Sequence, residues 1–561
     1  MSLLDIAFQA ALQHHQAGRL SDAETGYRRV LAADPGHADS LHLLGVIAAQ
    51  CGHLDAAVDL IGHAVAARGD IAAYHVNLGL AEQGRGRAEA AEACYRRALA
   101  LEPGNADAHN NLGILLQNRG EPGAAAEAFE RCLAARPDHP DAPINLCLAL
   151  RNLGRIDEAV ACGKRAVAAR PESPEALSNL GLALDNAGEA AVAIDYFRRA
   201  IALRPDYVEA MNNLGLALQS TGQDEAALAL FAEVLARQPQ NAKARLSAGM
   251  IRLLTGDFAQ GWADYEARWA ELEARDRGIP RWDGSEGAGR SILVWQEQGL
   301  GDTLQFCRYV PLLAARGWRV TLDVQKPLLR LLGRLEGAVA VTEGTGLEAR
   351  DFDAQCPLVG LPLHFGTRLD SIPAALPYLS ADPDDSARWA RRLAEAGLPA
   401  AGQALRVGLV WAGNSYRGSP FLTLADRRRS IALDRLAPVL AVPGIAFVSL
   451  QKELKPGDDP AASGLIDVME EVRDFADTAA IVAALDLVIA VDTSTLHLAA
   501  AMGKPVWLLN RFDTCWRWLR GRDDSPWYPA LRQFRQPAPG DWDSAIAVVA
   551  AALQDVSPAI S

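Results

Sequence analysis

The 561-residue sequence has no paired cysteine spacing, no long apolar run and no excess of positive charge. Its eight cysteines include no C-x-x-C pair, so we expect reduced core thiols rather than disulfides or a metal site. No apolar run reaches the roughly 18 residues of a membrane span, and the N-terminus lacks a basic stretch and a cleavage signal. The net charge of −14 argues against nucleic-acid and anionic-membrane surfaces. These features predict a cytoplasmic chain with no membrane span and no nucleic-acid partner.

The first half of the chain carries a 34-residue repeat. Because one hydrophobic core does not grow to this length, we expect three or more domains. The period and its glycine, alanine and proline positions resemble the tetratricopeptide repeat, which has two antiparallel helices per unit. We predict about eight units that form an α-solenoid over residues 1–273. One glycine series is unbroken: Gly18, Gly52, Gly86, Gly120, Gly154, Gly188, Gly222 and Gly256.

Five asparagines occupy one position of the first helix in successive repeats: Asn77, Asn111, Asn145, Asn179 and Asn213. An amide donates and accepts, so such a ladder can hold a peptide backbone without reading its side chains. The alternative is a solvated polar position of a consensus repeat. The ladder resembles the one that lines the repeat superhelix of O-GlcNAc transferases, which implies an acceptor protein bound along the concave repeat surface.

Beyond the repeats the periodicity changes to that of strands. Residues 274–289 are charged and glycine-rich, and we predict a linker there. Two series of strand, loop and helix follow, which predicts two Rossmann-like lobes, residues 290–400 and 401–535, facing across a ligand cleft. A helix capped by Asp382 is expected to bridge the lobes. A last helix within 536–561 is expected to pack back on the first lobe.

The strongest candidate site is the turn Asp492-Thr493-Ser494. A continuous apolar run precedes it and a small-residue helix follows, which predicts a buried parallel strand that ends at a helix N-terminus. Backbone N–H groups and hydroxyls at such a turn bind anionic ligands. His497 lies one turn into this helix and is either a ligand contact or a packed core residue.

A glycine loop follows the first strand of the first lobe and contains Gln298, Gly299, Gly301 and Asp302. It is expected to point at the cleft, and the alternative is a structural turn without a ligand.

In the second lobe, three arginines that end at Arg429 are either solvated charge or a forked clamp for a pyrophosphate. Gln451 follows a strand where it can contact a base or ribose. Asp477 is interpreted as a helix cap rather than a ligand. The aromatic segments near Trp516 and Trp527 are interpreted as packing between lobes rather than as base stacking.

The pattern Asp492-Thr493-Ser494-x-x-His497-Leu498-Ala499-x-Ala501-x-Gly503-x-Pro505 resembles the donor-binding signature of heptosyltransferase-like (family 9-like) glycosyltransferases, which have the GT-B fold. The resemblance implies that Asp302 is the catalytic base and that Arg429 lies against the donor diphosphate. It implies a nucleotide-sugar co-substrate, no metal and no permanently bound cofactor. The donor-binding residues would be Trp411, Asn414, Arg429, Gln451, Asp492, Thr493, Ser494 and His497.

Repeats joined to such a domain are similar to bacterial repeat-containing protein glycosyltransferases of the flagellin type, and to O-GlcNAc transferase in architecture. The resemblance implies transfer of a sugar from a nucleotide-sugar donor to Ser or Thr hydroxyls of a protein that the repeats recruit. Two alternatives stay open. One is a glycosyltransferase for a lipid-linked or saccharide acceptor whose repeats bind a partner protein. The other is a catalytically degenerate repeat scaffold.

Overall fold

The computed structural model describes residues 2–270, 277–344, 346–413 and 426–556. The chain divides into two compact units, Met1–Ala210 and Met211–Ser561. The second unit contains the last repeats together with the whole α/β half. The predicted linker at 274–289 therefore lies between the helical repeats and the α/β half, but it does not mark the boundary between the two compact units.

The repeat half is helical, as its 34-residue period predicts. Up to Tyr265, the described residues form sixteen α-helices in successive pairs. They are Leu3–Gln16, Leu20–Ala33, Ala38–Gln50, Leu54–Ala67, Ala72–Gly84, Ala88–Leu101, Ala106–Asn118, Pro122–Ala135, Ala142–Asn152, Ile156–Ala169, Pro174–Asn186, Ala190–Leu203, Val208–Ser220, Asp224–Arg237, Ala242–Thr255 and Phe258–Tyr265.

The repeat has two series of glycines, and each serves a different physical purpose. Gly86 and Gly120, in the turns, have φ of 75° and 77°, a left-handed conformation that glycine adopts without a Cβ penalty. Gly113, within a first helix, packs against the ring of Phe129, where an added Cβ would lie 2.6 Å from Cε1. The first series is therefore needed for the turn and the second for close helix packing.

The first lobe contains a parallel sheet of order β3-β2-β1-β4. Its strands are β1 (Ser291–Trp295), β2 (Arg319–Asp323), β3 (Ala338–Thr342) and β4 (Ala354–Pro357). The associated helices are Leu300–Phe306, Val310–Ala315, Leu329–Leu332 and Leu361–His364. Because parallel strands point their carboxyl ends the same way, the glycine loop after β1 opens at one edge of this sheet.

The second lobe contains a parallel sheet of order β6-β5-β7-β8-β9. Its strands are β5 (Leu405–Val410), β6 (Ile445–Ser449), β7 (Leu487–Val491), β8 (Val506–Asn510) and β9 (Leu531–Arg535). Helices of this half are Pro383–Glu395, Ala437–Leu440, Phe475–Ala483, Ser494–Ala501 and Trp542–Val556. Strand β7 is buried along its whole length, as its apolar run predicts.

One hydrophobic core joins the last repeat to both lobes. Trp262 of the last repeat packs with Phe306 of the first lobe and with Trp516 and Trp527 of the second, at ring-centroid distances of 5.3–6.4 Å. The aromatic segments therefore pack inside the unit, as the sequence indicates. This shared core explains why the last repeats belong to the α/β unit.

The C-terminal helix corrects one prediction. Trp542–Val556 is a helix, but Ile546 and Val549 belong to the buried core that contains Leu409 and Ile489 of the second sheet, and not to a core of the first lobe. The reason is that this face of the sheet is apolar and requires a cover of its own. The bridging helix is confirmed: it begins at Pro383, and Asp382 caps it by accepting from the backbone N–H groups of residues 384 and 385.

The cysteines are reduced, and one of them lies outside the core. All eight cysteines are free thiols, as predicted, and five of them are buried. Cys51 is exposed, which corrects its assignment to the core. In the described part of the chain, no helix has the length and apolar character that crossing a membrane requires.

Candidate active site

The two loops that the sequence singles out meet between the lobes. The turn after β7 leads into the helix Ser494–Ala501, and the glycine loop after β1 leads into the helix Leu300–Phe306. A Cβ added to Gly301 would lie 2.9 Å from Cδ2 of His497 and 3.6 Å from Cα of Ser494. Residues almost 200 positions apart in the chain therefore come into contact.

A cavity of about 350 Å³ opens beside this contact. Leu300 and Pro327 of the first lobe form part of its wall. Leu450 and Phe475 of the second lobe add apolar surface, and Thr493 and Ser494 supply polar groups. Further polar and charged side chains also line the cavity, so its wall combines apolar and polar surface, as the walls of small-molecule sites do.

The turn at Thr493 leaves polar groups for a ligand. The Thr493 side chain does not cap the helix Ser494–Ala501, so the N–H groups of its first turn lack that partner. The Thr493 hydroxyl oxygen is buried and has no hydrogen-bond partner among the described residues. Because a helix N-terminus carries partial positive charge, this end of the cavity favours an anion.

Arg429 lies next to the turn, and its guanidinium is engaged by protein groups. Nη1 donates to the carbonyl oxygen of Asp492 at 3.0 Å, and Nε donates to buried Asp426 at 3.3 Å. Lys455 also binds Asp426, at 2.7 Å. Arg429 therefore holds the end of β7 in place, and part of its charge is offset.

Gly413 is required beside Arg429, which the sequence did not indicate. A Cβ at this position would lie 2.3 Å from Nε of Arg429 and 2.1 Å from Oδ1 of Asp426. The Gly413 N–H donates to the hydroxyl of Ser430 at 3.0 Å. The glycine therefore lets the loop after β5 approach the charged cluster closely. The neighbouring predicted residue Asn414 lies outside the described residues.

Gln451 holds two loops together rather than offering its amide to a base. Its Oε1 accepts from the backbone N–H groups of Trp411 at 3.2 Å and Ala412 at 3.0 Å. Its Nε2 donates to the carbonyl oxygens of Ala412 at 3.0 Å and Glu453 at 2.9 Å. These four bonds engage both ends of the amide. The residue lines the cavity as a structural clamp.

The Trp411 side chain lies in the core of the second lobe. It is fully buried, and its indole N–H donates to Asp458 at 2.8 Å. The neighbours of Trp411 in sequence, Val410 and Ala412, line the cavity. Alternation along an extended chain explains this, because successive side chains point to opposite faces.

Asp302 is fixed by two partners. Its Oδ2 accepts from the backbone N–H of Gly299 at 3.0 Å, and its Oδ1 forms an ion pair with Arg517. Arg517 follows β8 in the second lobe, stacks over Trp516 at 4.2 Å and donates to Sγ of Cys515 at 3.0 Å. No sequence pattern predicts this pairing, which spans 215 residues.

His497 makes the contacts of a packed core residue. Its ring stacks on Trp518 at a centroid distance of 5.1 Å, and its Nδ1 lies 2.9 Å from the hydroxyl of Tyr528. Nε2 lies 3.8 Å from Oδ1 of Asp492. Burial lowers the pKa of His497 to about 4, although the Asp492 carboxylate opposes this shift. The imidazole is therefore neutral at pH 7.

Asp477 is not the helix cap that the sequence predicts. Asp474 caps the helix by accepting from the N–H groups of residues 476 and 477. Asp477 is fully buried and accepts hydrogen bonds from Arg330, Arg388, Trp389 and Arg473 at 2.6–3.1 Å. Burial opposes ionisation, but hydrogen bonds from Arg473 and Arg330 hold the pKa of Asp477 well below its usual range. Asp477 therefore ties the first lobe and the bridging helix to the second lobe.

The asparagine ladder binds the repeats to one another. The amide of Asn77 contacts Nε2 of His42 at 2.7 Å, and Asn145 donates to Asn110 at 3.1 Å. Asn179 donates to the carbonyl oxygen of Ile144 at 3.4 Å. Each bond joins an asparagine to the preceding repeat. It uses part of the donor capacity of that asparagine's amide. Asn111 and Asn213 are half-buried like the other three.

The helical half of the chain matches models of a known repeat. One model of the tetratricopeptide repeat matches residues 8–71, 76–140 and 144–208, and a second model of the same repeat matches residues 186–250. These ranges coincide with the paired helices. Residues 8–250 are tetratricopeptide repeats.

The repeat-containing chain is similar to protein FlbA of Caulobacter vibrioides, with 31% identity over 336 residues. The match covers 54% of this chain and 54% of FlbA, so the chain spans about half the length of that relative. Solved structures also match in part, among them YrrB and PilF. YrrB, described as a tetratricopeptide protein with an unusual peptide-binding site, is 18% identical over 33% of this chain and 95% of its own, with a TM-score of 0.29. PilF of Pseudomonas aeruginosa is 21% identical over 37% and 94%, with a TM-score of 0.35.

Proposed function

We propose that the chain is a glycosyltransferase that moves a sugar from a nucleotide-sugar donor to Ser or Thr hydroxyls of an acceptor protein, of the flagellin type, recruited by the repeats. One observation carries the proposal: Gly301, next to Asp302 in the first lobe, packs against Ser494 and His497 of the second lobe beside the cavity. A carboxylate and an anion-binding turn are the two groups that glycosyl transfer requires.

Each group has a role in the proposed chemistry. Asp302 accepts the proton of the acceptor hydroxyl while that oxygen forms a bond to the anomeric carbon. The bond from this carbon to the phosphate oxygen breaks, and the phosphate leaves with the electron pair. The N–H groups at the start of Ser494–Ala501 and the hydroxyl of Thr493, which has no partner in the part of the chain that the structure describes, stabilise the charge that develops on the phosphate. Asp492 holds sugar hydroxyls.

The repeats bind the acceptor protein and bring it to the transfer site. Tetratricopeptide repeats generally bind peptides or proteins, and the solenoid offers a long surface for a partner. Asn77, Asn145 and Asn179 each use one N–H in a bond to the preceding repeat, which leaves their amides further donor and acceptor capacity. They suit an extended polypeptide whose backbone offers both kinds of group.

Incubation of the full chain with a panel of uridine, guanosine, cytidine and adenosine nucleotide sugars and a cell lysate tests the proposal. Intact acceptor proteins are then weighed by mass spectrometry. A mass increase of one sugar residue on a polypeptide, matched by free nucleotide, supports the proposal. Nucleotide release without a protein adduct favours a lipid-linked or saccharide acceptor. No binding of any nucleotide favours a degenerate scaffold.

A further inference from the structure

The loop that carries Asp302 is held by the last repeat. Arg268, immediately after the last repeat helix, donates from Nε to Oε2 of Glu297 at 2.7 Å, and both side chains are buried. Glu297 also accepts from the backbone N–H of Val359 at 3.0 Å. The repeat array thus makes a charged, desolvated contact with the loop between β1 and Asp302.

A second contact lies closer to the carboxylate. The amide Nε2 of Gln298 donates to the hydroxyl of Tyr265 at 2.9 Å, and its Oε1 accepts from Nη2 of Arg517 at 3.4 Å. The same Arg517 nitrogen pairs with Asp302. Gln325 fixes the backbone by donating to the carbonyl oxygen of Gln298 at 3.0 Å. Tyr265, Gln298, Arg517 and Asp302 therefore form one continuous hydrogen-bonded chain.

We propose that Tyr265 of the last repeat and Arg517 of the second lobe are positioning residues that set the Asp302 carboxylate. The last repeat is then part of the transfer site itself and not only of the acceptor-binding array. This inference rests on the proposed function, because it assigns Asp302 a reaction to perform.

The physical reason is orientation. A general base must point its oxygen at the reacting hydroxyl, and small displacements of such a group reduce the rate steeply. Asp302 lies on a glycine loop, whose backbone is intrinsically permissive. Arg517 holds one oxygen and the Gly299 N–H holds the other. Gln298, braced by Tyr265, keeps the Arg517 guanidinium in place, and supporting hydrogen bonds of this kind fix the geometry of catalytic groups.

Tyr265→Phe tests the inference in the full chain, because it removes the hydroxyl and keeps the packed ring. Tyr95→Phe is the matched control: Tyr95 occupies the same position five repeats earlier, is also buried, and its hydroxyl donates to Gln83 at 2.8 Å. Two quantities are measured. One is hydrogen–deuterium exchange of a peptide that covers residues 296–306. The other is the steady-state rate of nucleotide release from the nucleotide sugar that the wild type binds, with the lysate acceptor present.

We expect Tyr265→Phe to accelerate exchange in residues 296–306 and to lower kcat about three- to tenfold with an unchanged donor KM, as the loss of one supporting hydrogen bond predicts. Tyr95→Phe should change neither quantity. Arg517→Lys keeps the charge, loses the guanidinium fork and should lower kcat further. The inference is overturned if Tyr265→Phe behaves like Tyr95→Phe, or if only one of the two quantities changes.

A failure of the proposed function gives a different result. The wild type would then bind no nucleotide sugar and modify no polypeptide. The exchange comparison between Tyr265→Phe and Tyr95→Phe would still show whether the last repeat holds the loop, because it requires no substrate.

Discussion

Gly301 and His497 touch across the two lobes: a Cβ on Gly301 would come within 2.9 Å of Cδ2 of the buried imidazole. The ring is held by its stacking on Trp518 and by Tyr528, so it cannot move aside at low cost. The lobes therefore approach so closely at this point that no side chain fits between them.

Gly301→Ala should displace the loop that carries Asp302 from the signature helix. We expect a loss of about 1–3 kcal/mol of stability from overpacking, together with reduced transfer. Chemical denaturation of the wild type and the variant measures the stability. Gly299→Ala is the control, because its Cβ would lie 3.4 Å from Oδ2 of Asp302, an ordinary contact. Equal unfolding midpoints for the two variants would contradict the close approach.

His497 should make stability depend on pH. Its pKa is about 4 in the folded chain, against an ordinary value of 6.5 for a free histidine, so between these pH values the unfolded state binds a proton that the folded state excludes. The contribution of the neutral, buried His497 to the free energy of unfolding is fully present above pH 6.5 and decreases as the pH falls towards 4. The stability difference between wild type and His497→Asn should shrink by up to about 3 kcal/mol over this range. Urea unfolding at several pH values checks this, and a constant difference would show that the imidazole is not buried as described.

Gln451→Ala tests whether the Gln451 side chain holds the backbone of two loops together or contacts the base of the nucleotide. The substitution leaves the buried backbone groups of Trp411 and Ala412 without their partner. We expect a loss of more than about 2 kcal/mol, since each unsatisfied buried group costs roughly 1–3 kcal/mol. Exposed Gln238→Ala should change stability by less than about 0.5 kcal/mol. A Gln451→Ala protein of normal stability with a raised donor KM would instead support the base-reading role.

Substitutions in the asparagine ladder should weaken binding of the protein acceptor and leave binding of the nucleotide-sugar donor unchanged. Alanine at three ladder positions should raise acceptor KM about tenfold or more, because several backbone hydrogen bonds are lost together. Nucleotide-sugar binding, measured by calorimetry, should be unchanged. The control triple variant replaces asparagines at the ends of the same three helices, also 34 residues apart. The ladder set is Asn111, Asn145 and Asn179, and the control set is Asn118, Asn152 and Asn186. Equal acceptor KM values for the two sets would remove the ladder from acceptor binding.

The sequence pattern predicted the features that depend on residues close together in the chain. The 34-residue period gave the helix pairs because glycine φ values and helix packing repeat with it, and the apolar run 487–491 gave a buried strand. The turn at Thr493 followed from the strand's end. Pairings between distant residues had no such signal. Arg517 reaches Asp302 across 215 positions, and Gln451 reaches back 39 or 40 positions to the loop after β5.

The same limit explains the corrected assignments. Asp474 and Asp477 both stand near a helix start, and only the tertiary position of Arg330 and Trp389 makes Asp477 a buried hub. The apolar face of the last helix required a partner, but its sequence did not specify which sheet had an uncovered face.

The most direct test of Asp302 as the base compares Asp302→Asn with the wild type in transfer to protein. The amide keeps the size of the carboxylate but cannot accept the hydroxyl proton. We expect the wild type to add the mass of one sugar residue to a polypeptide and Asp302→Asn to slow this reaction about 10²- to 10⁴-fold. Both proteins should bind the nucleotide sugar equally well. Full transfer activity in Asp302→Asn would contradict the assignment of the base. A wild-type chain that modifies no polypeptide with any nucleotide sugar would contradict the proposed function.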